Sequence, residues 1–140
     1  MAKRSAGYGG STFHVTDSIL CLFLSHETKR LDLSDCVTLT SGIIGIIRNL
    51  APDLTHLDIS GCTQLSENVL HTLGKFAHLE SVVMDRCSSW RNSVLASFFL
   101  HTKSASSLRR VSLNRCMQLD NTVTKAICSS IGTALQTLEL

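Results

Sequence analysis

The stretch LTHLDISGCTQLSENVLHTL, residues 54–73, decides the fold. Five and three positions before its cysteine, Cys62, stand the apolar residues Leu57 and Ile59. Alternation of this kind predicts a short strand with one buried and one exposed face. Seven and eleven positions after the cysteine stand Val69 and Leu73. Their spacing places them on one face of a helix. The stretch therefore predicts a strand, a turn and a helix.

The same pattern occurs four times along the chain, in TKRLDLSDC, LTHLDISGC, LESVVMDRC and LRRVSLNRC. The copies end at Cys36, Cys62, Cys87 and Cys116, which are 26, 25 and 29 residues apart. In the fourth position after each cysteine come Thr40, Ser66, Arg91 and Asp120. All but the arginine are good helix N-caps, so we expect each unit to place a capped helix after its strand. A single unit buries too little to fold alone, which predicts a stacked, cooperative array.

The two ends of the chain fit the same register. We expect residues 1–12 to form a flexible arm and residues 13–140 to form the repeat domain. That domain comprises an N-terminal half-repeat, four full repeats and a final strand. In the half-repeat, Thr16 is expected to cap a helix whose apolar residues, Phe23 among them, shield one end of the array. At the other end, ALQTLEL supplies a last strand with an open edge, which native proteins usually cover.

The run LTHLDISGCTQLSENVLHTL resembles the cysteine-containing leucine-rich repeat of F-box/leucine-rich-repeat proteins and of yeast mitotic-exit antagonists. The resemblance covers roughly residues 13–140 and implies an α/β leucine-rich-repeat solenoid. In that fold, a right-handed horseshoe carries a parallel sheet on its concave face and helices on its convex face. Departures from the pattern are Thr28 and Trp90 at leucine positions, Arg91 at a cap, and an extension around residues 104–107.

The resemblance also implies a function. In F-box members the repeats select a substrate for a cullin-based ubiquitin ligase, while a separate helical F-box segment recruits the ligase. No F-box pattern occurs in this sequence. We therefore expect a protein-interaction module that recognises a substrate in a ubiquitin-ligase setting. The alternative is a structural or assembly subunit of a larger ciliary or mitochondrial complex, because fold analogy alone does not choose between these roles.

Composition excludes several other classes of protein. The net charge of +2, with 17% charged residues in no long run, does not favour nucleic-acid binding. The apolar run of residues 19–24 is far shorter than the roughly 18 residues that would indicate a membrane-spanning helix. Neither a secretory signal nor a mitochondrial presequence is favoured. We expect a reducing compartment, the cytoplasm first, with the nucleus, cilium or mitochondrion as alternatives.

The six cysteines favour a structural role over a chemical one. Four recur at repeat spacing instead of ligand spacing, and no CxxC or HxxxH pair occurs, so we expect neither a metal nor a cofactor. These four should be buried, inert thiols that make weak hydrogen bonds. Cys21 and Cys128 lie on apolar helical segments and are expected in the core as well. Without a glycine-rich phosphate loop or a reactive thiol, we expect no enzymatic activity.

The outward positions of the strands form the candidate binding surface, which we call the concave face. An apolar centre at Val83 with a polar and charged surround is the usual anatomy of a protein interface. One row of this face juxtaposes Asp32 and Asp58, a mildly unfavourable arrangement unless Arg30, His56 or a partner's cation offsets it. The residues expected to contact a protein partner are Arg30, Asp32, His56, Asp58, Val83, Asp85, Arg110 and Asn114.

Overall fold

The computed structural model describes residues 14–116 and 119–140, so the expected arm at residues 1–12 lies outside the described residues. Helices and strands alternate through the described chain. The elements are α1 (Asp17–Cys21), β1 (Arg30–Asp32), α2 (Ile43–Leu50), β2 (His56–Asp58), α3 (Val69–Leu73), β3 (Ser81–Val83), α4 (Asn92–His101), β4 (Arg110–Ser112), α5 (Asn121–Ser130) and β5 (Thr137–Glu139). Each of the first four strands is followed by one helix that leads to the next strand.

The five strands form one parallel sheet in the order β1-β2-β3-β4-β5. Equivalent residues of successive units stand opposite one another, so that Leu31 faces Leu57 and Asp32 faces Asp58. The ladder continues past the strands, because the Leu33 amide donates to the Asp58 carbonyl at 2.8 Å. The register expected from aligning the cysteines is therefore the register of the sheet.

The core lies between the sheet and the helices. At the inward strand position, Leu31, Leu57, Val82 and Val111 are all buried. These side chains join the buried faces of the helices in one continuous apolar cluster. Burial of one such side chain stabilises the fold by about 1.5–3 kcal/mol. Because neighbouring units share this cluster, the units stabilise one another.

A left-handed turn ends the strand segment of every unit. The residue just before each repeat cysteine has a positive φ: Asp35 (59°), Gly61 (67°), Arg86 (60°) and Arg115 (58°). This conformation costs a residue with a side chain roughly 1–2 kcal/mol. Three of these turns nevertheless carry long or charged side chains. The same turn therefore recurs in all four units, although only one of them has glycine at this position.

The expectation that Thr40 and Ser66 cap the helices that follow them is wrong. The helices after Thr40 and Ser66 begin at Ile43 and Val69, and neither has a side-chain cap at its first turn. The hydroxyls that would cap these helices instead bond the preceding unit, Thr40 Oγ1 with Asp17 Oδ2 at 2.5 Å and Ser66 Oγ with Ser41 Oγ at 3.1 Å, and the two backbone amides bond it as well. The Thr40 amide donates to Asp17 Oδ1 at 3.0 Å, and the Ser66 amide donates to Ser41 Oγ at 2.8 Å.

Capping occurs as expected at two other helices. Thr16 Oγ1 accepts from the Ile19 amide and caps α1, and Asp120 accepts from the amides of Thr122 and Val123 at the start of α5. At α4 the position is filled by Arg91, whose amide donates to Glu67 Oε2 of the preceding unit at 3.0 Å. Helix entry is therefore stabilised between units in three places and within a unit in two.

The N-terminal half-repeat shields the array less than expected. Only Leu20 of α1 is buried, whereas Leu22 and Phe23 follow the helix with 81% and 70% of their surface exposed. The helix ends at Cys21, so the chain turns away before Phe23 can reach the core. The expectation that Phe23 shields this end of the array is wrong.

The departures in the third unit are accommodated by hydrogen bonds. Trp90 is buried, and its Nε1 donates to the Leu65 carbonyl of the preceding unit at 3.1 Å. In the extension, Ser104 Oγ donates to the Phe76 carbonyl at 2.6 Å and accepts from the Leu79 amide at 3.1 Å. The longer third unit therefore keeps the stacking of the array.

Candidate functional site

The concave face carries all eight residues predicted for partner binding, but to different degrees. Arg30, Asp32 and Arg110 are exposed. The other five are half-buried, namely His56, Asp58, Val83, Asp85 and Asn114. Three serines at outward positions, Ser60, Ser81 and Ser112, are buried. The eight predicted residues thus lie on one surface, and serines occupy positions between them.

The two facing carboxylates, Asp32 and Asp58, are satisfied by their own chain segments. Asp32 Oδ1 accepts from the amide and the hydroxyl of Ser34, at 3.0 and 2.6 Å. Asp58 Oδ1 accepts from the Ser60 amide at 2.9 Å. Each is a local aspartate turn, in which the side chain bonds the backbone two residues on. These bonds hold both carboxylates in place.

His56 is a poor source of compensating charge for these aspartates. Burial lowers the pKa of His56 from its ordinary value, and the neighbouring Arg30 lowers it further. The imidazole is therefore mainly neutral at pH 7. Its Nδ1 lies 2.8 Å from Thr55 Oγ1, which also bonds the Lys29 carbonyl at 2.9 Å. Of the cations considered from the sequence, Arg30 alone carries a fixed charge beside this row.

Asp85 is the centre of a hydrogen-bond network between the third and fourth units. Its Oδ1 accepts from Ser112 Oγ at 2.6 Å and from the Asn114 amide at 2.8 Å. Asn114 Nδ2 donates to Glu139 Oε2 at 3.1 Å, and Arg110 donates to Glu139 Oε1 through two nitrogens, at 2.8 and 3.1 Å. Asp85, Asn114 and Arg110 thus make hydrogen bonds within the protein. They contribute to its stability as well as to the concave face.

Beside this network lies a shallow groove of about 630 Å³ at the carboxyl ends of the strands. Its lining includes three residues that the alternation pattern did not single out, Asp35, Arg86 and Arg115. All three precede a repeat cysteine and have the left-handed backbone. Their register was visible in the sequence, but alternation does not indicate that a left-handed turn brings them to this groove.

Within the groove an ion pair spans two units. Arg86 Nη2 lies 2.6 Å from Asp35 Oδ1, although 51 residues separate them. Between them is Gly61, where an added Cβ would stand 2.1 Å from Asp35 Oδ1 and 2.9 Å from Arg86 Nη2. The other three units hold a side chain at a similar positive φ, so glycine is distinguished at this position by the space that it leaves for the ion pair.

The repeat cysteines bond the preceding unit through their thiols. Cys62 Sγ donates to the Leu33 carbonyl at 3.0 Å, and Cys116 Sγ donates to the Met84 carbonyl at 3.1 Å. Burial raises the pKa of Cys62 and of Cys87 to about 12. Such thiols are almost entirely protonated at neutral pH and are poor nucleophiles. The expected weak thiol bonds are confirmed for Cys62 and Cys116.

Exposure of the remaining cysteines differs from expectation. Cys36 and Cys116 are half-buried, although burial still raises the pKa of both thiols. Cys21 is also half-buried, and Cys128 is exposed. The expectation that Cys128 belongs to the core is wrong, because α5 buries Val123, Ala126 and Ile127 and turns Cys128 outward.

Two further findings concern the described residues alone. No three of their His, Cys, Asp or Glu side chains are grouped closely enough to hold a metal ion. None of the described helices has the length and apolar character needed to cross a bilayer.

The parallel sheet, the returning helices and the ladder of thiol bonds define a leucine-rich-repeat solenoid. The solved structure of the Rad7 and Elc1 complex in yeast contains a similar chain, with a TM-score of 0.80 and 24% sequence identity. The similarity covers 90% of this chain and 31% of that chain. It establishes the fold.

A sequence relative is found among DNA repair proteins. The chain is 28% identical over 103 residues to the DNA repair protein rhp7 of Schizosaccharomyces pombe. The match includes 70% of this chain and spans 18% of the length of rhp7. No protein-family model matches the sequence.

Proposed function

We propose that the chain is a protein-recognition module whose partner binds the concave face, centred on β2 to β4. The observation that carries this proposal is the half-buried Val83, an apolar residue in a row that otherwise holds Asp32, Asp58, Ser112 and Glu139. An apolar centre within a charged and polar rim is typical of protein interfaces.

The contacts within the face divide its residues into two groups. Arg30 and Val83 lie outside the Asp85 network, and a partner can contact them without disturbing bonds between units. Asp85 and Asn114 join the third unit to the fourth and to β5. They fix the shape of the surface, so that their main contribution to binding is preorganisation.

The setting of this recognition is proposed to be a ubiquitin ligase, with the chain facing the substrate. The resemblance to F-box/leucine-rich-repeat proteins supports this role, and the fold neighbour was solved as a complex of Rad7 with Elc1. The similarity to a DNA repair protein favours the nucleus over the cytoplasm among the compartments considered. A binding role, and not catalysis, also agrees with the raised pKa values of the repeat thiols.

The experiment combines capture of partners with variants of the concave face. Proteins that co-purify with the chain are identified, and their affinity is measured for the parent, Val83→Glu and Arg30→Ala. Binding should weaken by about 1–2 kcal/mol or more for a true anchor. Thermal unfolding of Arg30→Ala should change little, within the roughly 0.5 kcal/mol typical of surface substitutions. Val83→Glu should cost more than this, because its carboxylate would face Asp58 across the sheet. Adaptor and cullin components among the partners would support the ligase setting.

A core variant provides the contrasting control. Leu57 is 1% exposed, so Leu57→Ala should cost roughly 2–5 kcal/mol of stability through a cavity. Any loss of binding in this variant should follow the loss of folded protein. If Val83→Glu and Arg30→Ala both bind like the parent, while Lys125→Glu on α5 abolishes binding, the concave assignment is wrong.

A structural role in a larger assembly is the second candidate. It is favoured by the outer edge of β5, where Leu140 is 56% exposed and Leu138 is half-buried. A parallel edge strand presents backbone groups that can pair with another chain. Recovery of the chain only as part of a stable assembly held through this edge would favour this candidate over transient substrate recognition.

A further inference from the structure

A second groove lies on the helical side of the molecule, between α3 and α4, and has a volume of about 640 Å³. It arises from unequal helix lengths, since α3 has 5 residues and α4 has 10. The shorter helix ends at Leu73, and the C-cap that follows it, Gly74, has no side chain to fill the step. The groove is independent of the concave face, because the two surfaces share no lining residue.

The lining of this groove combines apolar and cationic groups. Leu70, Val94 and Phe98 contribute apolar surface. Lys75 and Lys103 add two fixed positive charges, and the imidazoles of His71 and His101 also line the groove. Among the described residues, no aspartate or glutamate lines it, whereas Asp35, Asp58 and Asp85 line the concave groove.

Hydrogen bonds fix the backbone at Lys103 and the imidazole of His101 beside the groove. The Lys103 amide donates to the Gly74 carbonyl at 2.9 Å, which holds the chain after α4 against the end of α3. His101 Nδ1 lies 2.8 Å from the Ser97 carbonyl, one turn earlier on the same helix. The backbone beside the groove is thus positioned before any ligand arrives, and the side chains of Lys75 and Lys103 are exposed to a ligand.

We propose that this groove binds an acidic, partly apolar segment of a partner protein. Charge complementarity selects the ligand: two lysines without a competing carboxylate attract glutamate and aspartate side chains. The apolar floor accepts leucine-like side chains that lie between them. A helical or extended acidic segment with apolar residues on one side satisfies both features.

The test uses the full chain and a defined probe. The probe is a fluorescein-labelled peptide in which leucine recurs at helical spacing among glutamates, and its control replaces every glutamate by lysine. Fluorescence anisotropy should show binding of the acidic probe alone, and this binding should weaken as salt increases. Equal affinity for the two peptides, or no binding of the acidic one, overturns the proposal.

Variants locate the binding on the molecule. Lys75→Glu with Lys103→Glu should weaken binding of the acidic probe about tenfold or more, because attraction becomes repulsion. Gly74→Glu should also weaken it, and the fold should tolerate this change, since an added Cβ would have only ordinary contacts with a nearest neighbour at 3.5 Å. The matched control is Lys125→Glu, which changes one charge on exposed α5 surface outside the groove.

The outcomes separate this groove from the concave face. Undiminished binding in both Lys75→Glu/Lys103→Glu and Gly74→Glu refutes the proposal, provided that circular dichroism shows both variants folded. Val83→Glu on the concave face should leave probe affinity unchanged. A loss of probe binding in Val83→Glu alone would place the acidic segment on the concave face and overturn the assignment to this groove.

Discussion

Gly61→Ala is the substitution for which the structure predicts the most specific effect. Two costs arise at this position. A left-handed φ of 67° costs an alanine roughly 1–2 kcal/mol. The new Cβ would also stand 2.1 Å from Asp35 Oδ1, so the Asp35–Arg86 ion pair must move or break.

The size of the second cost follows from the exposure of the ion pair. The side chains of Arg86 and Asp35 are 45% and 65% exposed, and exposed pairs contribute about 0–1 kcal/mol. Replacing glycine also restricts the unfolded chain, which offsets about 0.4–1 kcal/mol of the loss. We therefore expect Gly61→Ala to lower the free energy of unfolding by about 1–2 kcal/mol.

The assay is urea unfolding followed by circular dichroism, with a double-mutant cycle as the control. Asp35→Gly removes the carboxylate that the new methyl group would strike and also accepts the left-handed φ at residue 35. In that background, Gly61→Ala should cost only its backbone strain. The difference between the two backgrounds measures the steric coupling.

Two results would refute this reasoning. If Gly61→Ala leaves stability unchanged, the positive φ and the close approach do not constrain this position. If the substitution costs the same in the parent and in the Asp35→Gly background, the ion pair does not depend on the space above Gly61. In the second case, backbone conformation alone explains the requirement for glycine.

Three further predictions concern thiols, pH and self-association. A thiol reagent should label exposed Cys128 of the native protein quickly and Cys62 only on unfolding, and mass spectrometry of early labelling times checks this order. Hydrogen bonds from Arg91 lower the pKa of Glu67 below 4.5. The ionised Glu67 side chain therefore stabilises the folded chain above that pH, and this stabilisation is lost as the pH falls through the lowered pKa. Glu67→Gln should flatten this acid limb of the stability curve, and an unchanged limb would contradict the prediction. The open edge of β5 should promote self-association, which sedimentation at rising concentration would disprove by finding only monomer.

The sequence predicts the frame of the molecule because each unit obeys local periodicity. The alternation around Cys62 predicts β2, and the register of four cysteines predicts which residues face each other across the sheet. Boundaries are less predictable. Thr40 and Ser66 have the chemistry of helix caps, but their hydroxyls bond the preceding unit instead. Whether a residue caps its own helix or bonds a neighbouring unit depends on how closely the units stack. The sequence of one repeat does not contain this information.

The candidate site was predictable as a surface but not as a set of equivalent residues. Alternation turns both Val83 and Asp85 outward, and nothing in their spacing distinguishes them. The stacked units do distinguish them, since the Asp85 side chain receives bonds from Ser112 and Asn114 of the next unit, while the side chain of Val83 has no polar atom. Asp85→Ala should therefore lower stability and partner affinity together, which prevents its use as a test of binding. Val83→Glu changes the surface without removing a bond between units, so a loss of affinity in that variant can be assigned to the interface itself.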